Sequence, residues 1–169
     1  MSGLPHLTLV LGGARSGKSA HAERLIGTRA AVYVATAQVR DDEMAERVAR
    51  HRARRGDGWS TLEEPLDLAG VVARNFDGRP VLIDCLTLWL TNVMLADRNV
   101  GAAVEALCAA LKAASSPVIC VTNEVGLGIV PDNALARRFR DEAGRLNQAV
   151  AAIADRADFI AAGLALRMK

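Results

Sequence analysis

Aromatic side chains are scarce in this chain. They make up 4% of its 169 residues, while 51% are hydrophobic. Alanine and branched aliphatics must therefore build the core, which favours packed helices and buried sheet over a sandwich. Cysteine is scarce too. The three residues, Cys85, Cys108 and Cys120, are scattered and odd in number, which excludes a disulfide frame or a cysteine-rich metal knuckle and points to buried thiols in a reducing compartment. No excess of one charge is present. A net charge of +2 gives no overall field for nucleic acid or a membrane surface. No apolar run reaches membrane length, and the stretch MSGLPHLTLVLGG has neither a basic segment nor a cleavage site. These absences lead us to expect a soluble, cytoplasmic protein without a membrane anchor, folded as one domain over 1–169.

What is present alternates. The apolar runs LTLVL (7–11), AVYVAT (31–36), PVLIDCL (80–86), SPVICVTNE (116–124) and DFIAAGLAL (158–166) read as strands. Helices are expected over 17–26, 41–55, 65–76, 86–96, 100–114 and from Pro131 onward. The last carries Leu135, Phe139, Leu146, Val150 and Ile153 at helical spacing. Strands apolar on both faces, alternating with helices, specify an α/β fold whose mostly parallel sheet is covered on both sides. RRGDGWSTLEEP (54–65) is the most loop-like stretch. No linker, repeat or low-complexity tract interrupts the chain.

The run 7–11 ends in GGARSGKS: Gly12, Gly13, Ala14, Arg15, Ser16, Gly17, Lys18 and Ser19. This matches the phosphate-loop pattern G-x-x-x-x-G-K-[ST], and a strand precedes it and a helix follows. Glycines let backbone N–H groups converge on an anion, and the helix N-terminus adds its dipole. Lys18 can reach the β and γ phosphates, and the Ser19 hydroxyl can bind Mg²⁺. Such a site wants a carboxylate at a neighbouring strand end. Asp84 stands there, either for the metal or as a cap for the next helix. Glu124 ends the following strand. It is a candidate for ordering water or substrate, or a solvated loop carboxylate.

The helix expected over DDEMAERVARHRARR carries an anomaly. Met44 and Val48 begin an apolar face that continues through His51 and Arg55, where polar groups replace apolar ones. A neutral imidazole beside guanidiniums can attack an electrophilic phosphorus, and nearby cations disfavour imidazolium. The plainer reading is a surface histidine on a solvated, arginine-rich helix end. His21, one turn into the first helix, is either a surface residue or a contact near the phosphates.

Together, GGARSGKS, YVATAQ, DDEMAERVARHRARR, VLIDCLTLWLTN and VTNEVGLGIVPDNALARRFRDEAGRLNQ resemble, nearly end to end and in order, the bifunctional adenosylcobinamide kinase/adenosylcobinamide-phosphate guanylyltransferase family of cobalamin biosynthesis. The resemblance implies a RecA-like P-loop NTPase fold and two activities. One phosphorylates adenosylcobinamide with ATP or GTP. The other transfers GMP from GTP to adenosylcobinamide phosphate through a guanylyl-histidine, which maps onto His51. Nucleotide contacts map onto Gly12 to Ser19, Ala35, Thr36, Ala37, Arg52, Ala53, Arg54, Arg55, Glu63 and Asp84, with Ser19 and Asp84 on Mg²⁺. A homo-oligomer, a trimer, is also implied. Two positions depart from patterns seen in the family: Arg50 stands where some members have a second histidine, and Asp84 where the acid can be Glu. Residues 56–65 and 125–131 are expected to wall the corrinoid.

Two other readings fit parts of the sequence. One is a P-loop kinase for another small molecule, with His51 structural. The other is a nucleotide-binding module that uses its arginine-rich helix on nucleic acid, against which the low net charge and few aromatics argue.

Overall fold

The computed structural model describes residues 3–37 and 58–169. The helix expected over 41–55, with His51 and Arg52 to Arg55, lies outside the described residues. The elements run β1 (Leu7–Gly12), α1 (Lys18–Ile26), β2 (Ala31–Ala35), β3 (Trp59–Glu63), α2 (Leu68–Val72), β4 (Val81–Asp84), α3 (Leu86–Leu95), α4 (Val100–Ala113), β5 (Val118–Asn123), α5 (Ala134–Ile153), β6 (Arg156–Ala161) and β7 (Leu164–Arg167). The seven strands form one sheet in the order β3-β2-β4-β5-β1-β6-β7. All pairings are parallel except β6 with β7.

Every residue of β1 and β2 is buried. Their side chains alternate between two cores, as the two-residue period of a strand requires. Leu7, Leu9, Val34, Ile83 and Cys120 face α2 to α5, where Leu68, Trp89, Leu90, Leu107, Leu111, Leu146 and Val150 complete the larger core. Val10, Tyr33, Leu82, Ile119, Val121 and Ile160 face α1 through Ala22 and Ile26. Each fully buried Leu or Ile contributes ~1.5–3 kcal/mol, so this two-sided burial fixes the sheet. Asn99 and Asn133 cap α4 and α5, accepting from Ala102 N (3.0 Å) and Ala136 N (2.7 Å). Among the described residues no helix is long and apolar enough to cross a membrane.

Four expectations are corrected. The loop-like stretch contains an edge strand, β3. The strand expected over 158–166 is a hairpin, β6 and β7, turning at Ala162 (φ 51°) and Gly163 (φ 77°). Two successive left-handed residues make the primed turn whose twist suits a hairpin. The helix expected over 65–76 is only Leu68–Val72, started by Asp67, which accepts from Gly70 N at 2.9 Å. Helix α5 begins later than Pro131, behind Asn133, and Leu135 is exposed and not on its core face.

Candidate active site

The parallel register sets one edge of the sheet. Ala35 pairs with Glu63 on one side and Asp84 on the other. Asp84 pairs with Val121, two residues before Asn123, and Asn123 pairs with Gly12. Gly12, Ala35, Glu63 and Asp84, far apart in sequence, therefore end on the same carboxyl edge, where open α/β sheets bind ligands.

Beyond β1 the chain turns through Gly13 to Gly17. Arg15 (φ 56°) and Gly17 (φ 100°) are left-handed. Ser16 N donates to Gly13 O at 3.3 Å. Lys18 is buried and folds back over the loop, its Nζ donating to Gly13 O at 2.6 Å. Helix α1 starts at Lys18 with no side-chain cap, so its leading N–H groups keep their capacity for an anion. The Ser16 hydroxyl is enclosed and has no hydrogen-bond partner among the described residues. Such a cradle of amides, a cation and an orphaned hydroxyl suits a polyphosphate.

The C-terminal hairpin holds the loop from behind. Gly163 N donates to Ser16 O at 2.8 Å, and a Cβ on Gly17 would meet Gly163 Cα at 3.3 Å. One turn into α1, His21 is buried, not a surface residue. Its Nε2 donates to Asp158 Oδ2 at 2.8 Å. Asp158 also accepts from Arg156 (2.9 and 2.7 Å) and Arg167 (2.6 Å). Burial alone would raise the Asp158 carboxyl, but the hydrogen bonds from Arg156, His21 and Arg167 outweigh it and hold the carboxyl at about 2.

Opposite the loop, Asp84 is half-buried at the end of β4, and Tyr33 Oη donates to its Oδ2 at 3.2 Å. Thr36 is wholly buried. Its hydroxyl donates to Cys85 O and accepts from Cys85 N, both at 2.8 Å. Asn92 Nδ2 donates to Thr36 O at 2.8 Å. Thr36 thus holds the strand-end backbone, while its side chain is turned away from solvent. Burial, with Asp84 next, pushes the Cys85 thiol up, and burial pushes Cys120 to about 12. Both thiols are inert core groups.

A polar residue that the sequence reading missed stands between the loop and Asp84. Asn123 Nδ2 donates to Thr87 Oγ1 (2.8 Å), and its carbonyl accepts from Asn147 Nδ2 (3.1 Å). The signal was a polar TN ending an otherwise apolar run. Glu124, the candidate chosen instead, turns its carboxylate back onto Gly126 N, while its own N–H donates to Gly12 O at 3.0 Å. Arg52 to Arg55 and His51 lie outside the described residues. Among the described residues no group of three or more His, Cys, Asp or Glu could hold a metal. The oxygens of Ser19 and Asp84 fit Mg²⁺, which takes few protein ligands and completes its shell with phosphates and water.

The model for cobinamide kinase / cobinamide phosphate guanyltransferase matches residues 8–168. The chain belongs to this family. It is 50% identical over 166 residues to the bifunctional adenosylcobalamin biosynthesis protein CobP of Pseudomonas aeruginosa, covering 95% of this chain and 96% of that protein. It is 39% identical over 180 residues to the bifunctional adenosylcobalamin biosynthesis protein CobU of Escherichia coli, covering 96% and 99%. Among solved structures, the flagellar accessory protein FlaH of Methanocaldococcus jannaschii superposes with a TM-score of 0.51 at 15% identity, covering 99% of this chain and 80% of that one. An ATPase of the type III secretion system of pathogenic bacteria gives 0.52 at 12%, covering 98% and 57%. These two show the fold of the family member described here: a P-loop NTPase fold with a mostly parallel sheet.

Proposed function

We propose that this chain is a bifunctional enzyme, one catalytic domain over 1–169, that phosphorylates adenosylcobinamide and then guanylylates the product. The match of the cobinamide kinase / cobinamide phosphate guanyltransferase model over residues 8–168 carries the reading. In the first reaction the hydroxyl of adenosylcobinamide attacks the γ phosphorus of ATP or GTP. The loop amides, Ser16 and Lys18 hold the donor's phosphates, and ADP or GDP leaves. The loop's uncapped helix start and buried lysine support this assignment. Ser19 and Asp84 would hold Mg²⁺, which when bound offsets charge on the phosphates.

In the second reaction, the His51 imidazole attacks the α phosphorus of GTP. A P–N bond forms, the bond to the bridging oxygen breaks, and pyrophosphate leaves against Lys18 and the loop. A phosphate oxygen of adenosylcobinamide phosphate then displaces the imidazole, giving adenosylcobinamide-GDP. Arg52 to Arg55 follow His51 directly in sequence, where guanidiniums can hold the transferred phosphate's oxygens. Ala35, Ala37 and Glu63 complete the nucleotide contacts, supported for Ala35 and Glu63 by their place on the Asp84 edge. Thr36, wholly buried and bonded to Cys85 and Asn92, instead holds the strand end and does not reach a ligand. The protein works in the cytoplasm as a homo-oligomer, a trimer. Exposed Leu127, Ile129 and Val130, together with Leu164 and Leu166, are apolar surface that subunits or a corrinoid could cover.

The test is incubation with Mg²⁺ and GTP radiolabelled at the α phosphate, without corrinoid, followed by denaturing electrophoresis and acid. An acid-labile band that needs Mg²⁺ and disappears in His51→Ala is expected. Folded, GTP-binding protein that takes no label, with or without corrinoid, would leave only a kinase.

A further inference from the structure

Tyr33 is the one tyrosine in the chain. It sits in β2 between Leu82 of β4 and Thr61 of β3, and it is 7% exposed. Phenylalanine would fill the same volume without a hydroxyl to satisfy, so the phenol's oxygen needs a reason. Its position supplies one. Tyr33 pairs with Leu82 across β2 and β4. Asp84, two residues on, projects from the same face as Leu82, on the diagonal within reach of a long aromatic side chain. The phenol spans that diagonal and donates to Asp84 Oδ2 at 3.2 Å. Asp84 Oδ1 has no hydrogen-bond partner among the described residues.

We propose that Tyr33 is a positioning residue for the metal carboxylate: by tying Asp84 Oδ2, it fixes the rotamer of Asp84 and leaves Oδ1 for the cation that accompanies the nucleotide. The inference rests on Asp84 being a metal ligand, as proposed above. Partners that orient a ligating carboxylate typically change metal affinity or activity by 10–100-fold when removed. A half-exposed aspartate at a strand end is otherwise free to rotate, and magnesium tolerates little departure from octahedral geometry. A tyrosine that merely staples two strands would have no effect on a cation.

The measurement is Mn²⁺ binding to the GTP-loaded protein by electron paramagnetic resonance, for wild type, Tyr33→Phe and Asp84→Asn. Tyr33→Phe is expected to bind Mn²⁺ roughly tenfold more weakly, with GTP affinity in the absence of metal unchanged. In wild-type protein carrying isotope-labelled tyrosine, the single signal of the hydroxyl-bearing ring carbon is expected to move when Mg²⁺ joins the GTP complex. This second readout needs no variant to fold. Tyr33→Phe that binds Mn²⁺ like wild type, or a tyrosine signal indifferent to Mg²⁺, overturns the proposal. Asp84→Asn that binds Mn²⁺ like wild type overturns the metal-site reading itself, whatever Tyr33 does.

Discussion

Thr36 shows how one hydroxyl can replace a stretch of strand. Its oxygen gives and receives a hydrogen bond with the backbone of Cys85, beyond the last paired residues of β2 and β4. Valine has the same shape and neither bond. Thr36→Val leaves the buried Cys85 N–H without a partner, while Cys85 O keeps its bond from Trp89 N (3.1 Å), and is expected to cost about 1–3 kcal/mol in urea unfolding. Asp158 acts through charge. Its carboxyl titrates near 2 in the folded protein against an ordinary 3.8, so its ionised form contributes stability above about pH 4. That contribution is lost as pH falls toward 2. The urea midpoint should drop across that interval in wild type, and Asp158→Asn should flatten this part of the profile while lowering stability at neutral pH. A drop of the same size in Asp158→Asn would show that other groups cause it.

At the scale of elements, the phosphate loop and the C-terminal hairpin are one construction. A Cβ on Gly12 would run into the carbonyl oxygen of Ile160 in β6. Gly12→Ala must push β6 away and is expected to cost about 3 kcal/mol in thermal unfolding and to weaken GTP binding with it. The weakening of GTP binding is the part that checks the link to the loop. The loop itself was legible in sequence, because glycines, lysine and serine follow a run of apolar residues that only a buried strand explains. The hairpin was not. Its turn is Ala162-Gly163, without the Asn-Gly or Asp-Gly pair that announces such turns, so two short strands read as one. β3 was missed for a different reason. As an edge strand it is only half-buried, and WSTLE lacks the apolar density that marked β1, β2, β4 and β5. Asn123, an amide closing an apolar run, carries a weaker sequence signal than the charge of Glu124, and only the register pairs it with Gly12.

At the scale of the molecule, the two cores explain where chemistry can occur. Cys85 and Cys120 are sealed inside, while Cys108, on α4, is half-exposed. Iodoacetamide on native protein should modify Cys108 roughly tenfold or more faster than the other two, followed by mass spectrometry. Equal rates would mean that the sheet opens readily. Long-range pairing also decides which residues meet. No window of sequence holds Gly12, Ala35, Glu63 and Asp84 together, so their common edge could only be inferred from kinship until the strand order was known.

That strand order has a consequence for how the protein is made. β1 lies between β5 and β6: Leu7 waits for Val118 and Thr8 for Arg156. During synthesis the phosphate loop emerges before β5 and β6, so the strand in front of it has no neighbour until those later strands have left the ribosome. The glycine that backs the loop, Gly163, follows later still, after β6. A nascent or prematurely terminated chain therefore carries the complete GGARSGKS motif with nothing to hold it in shape, and the ability to grip a nucleotide arrives only with translation of the closing hairpin.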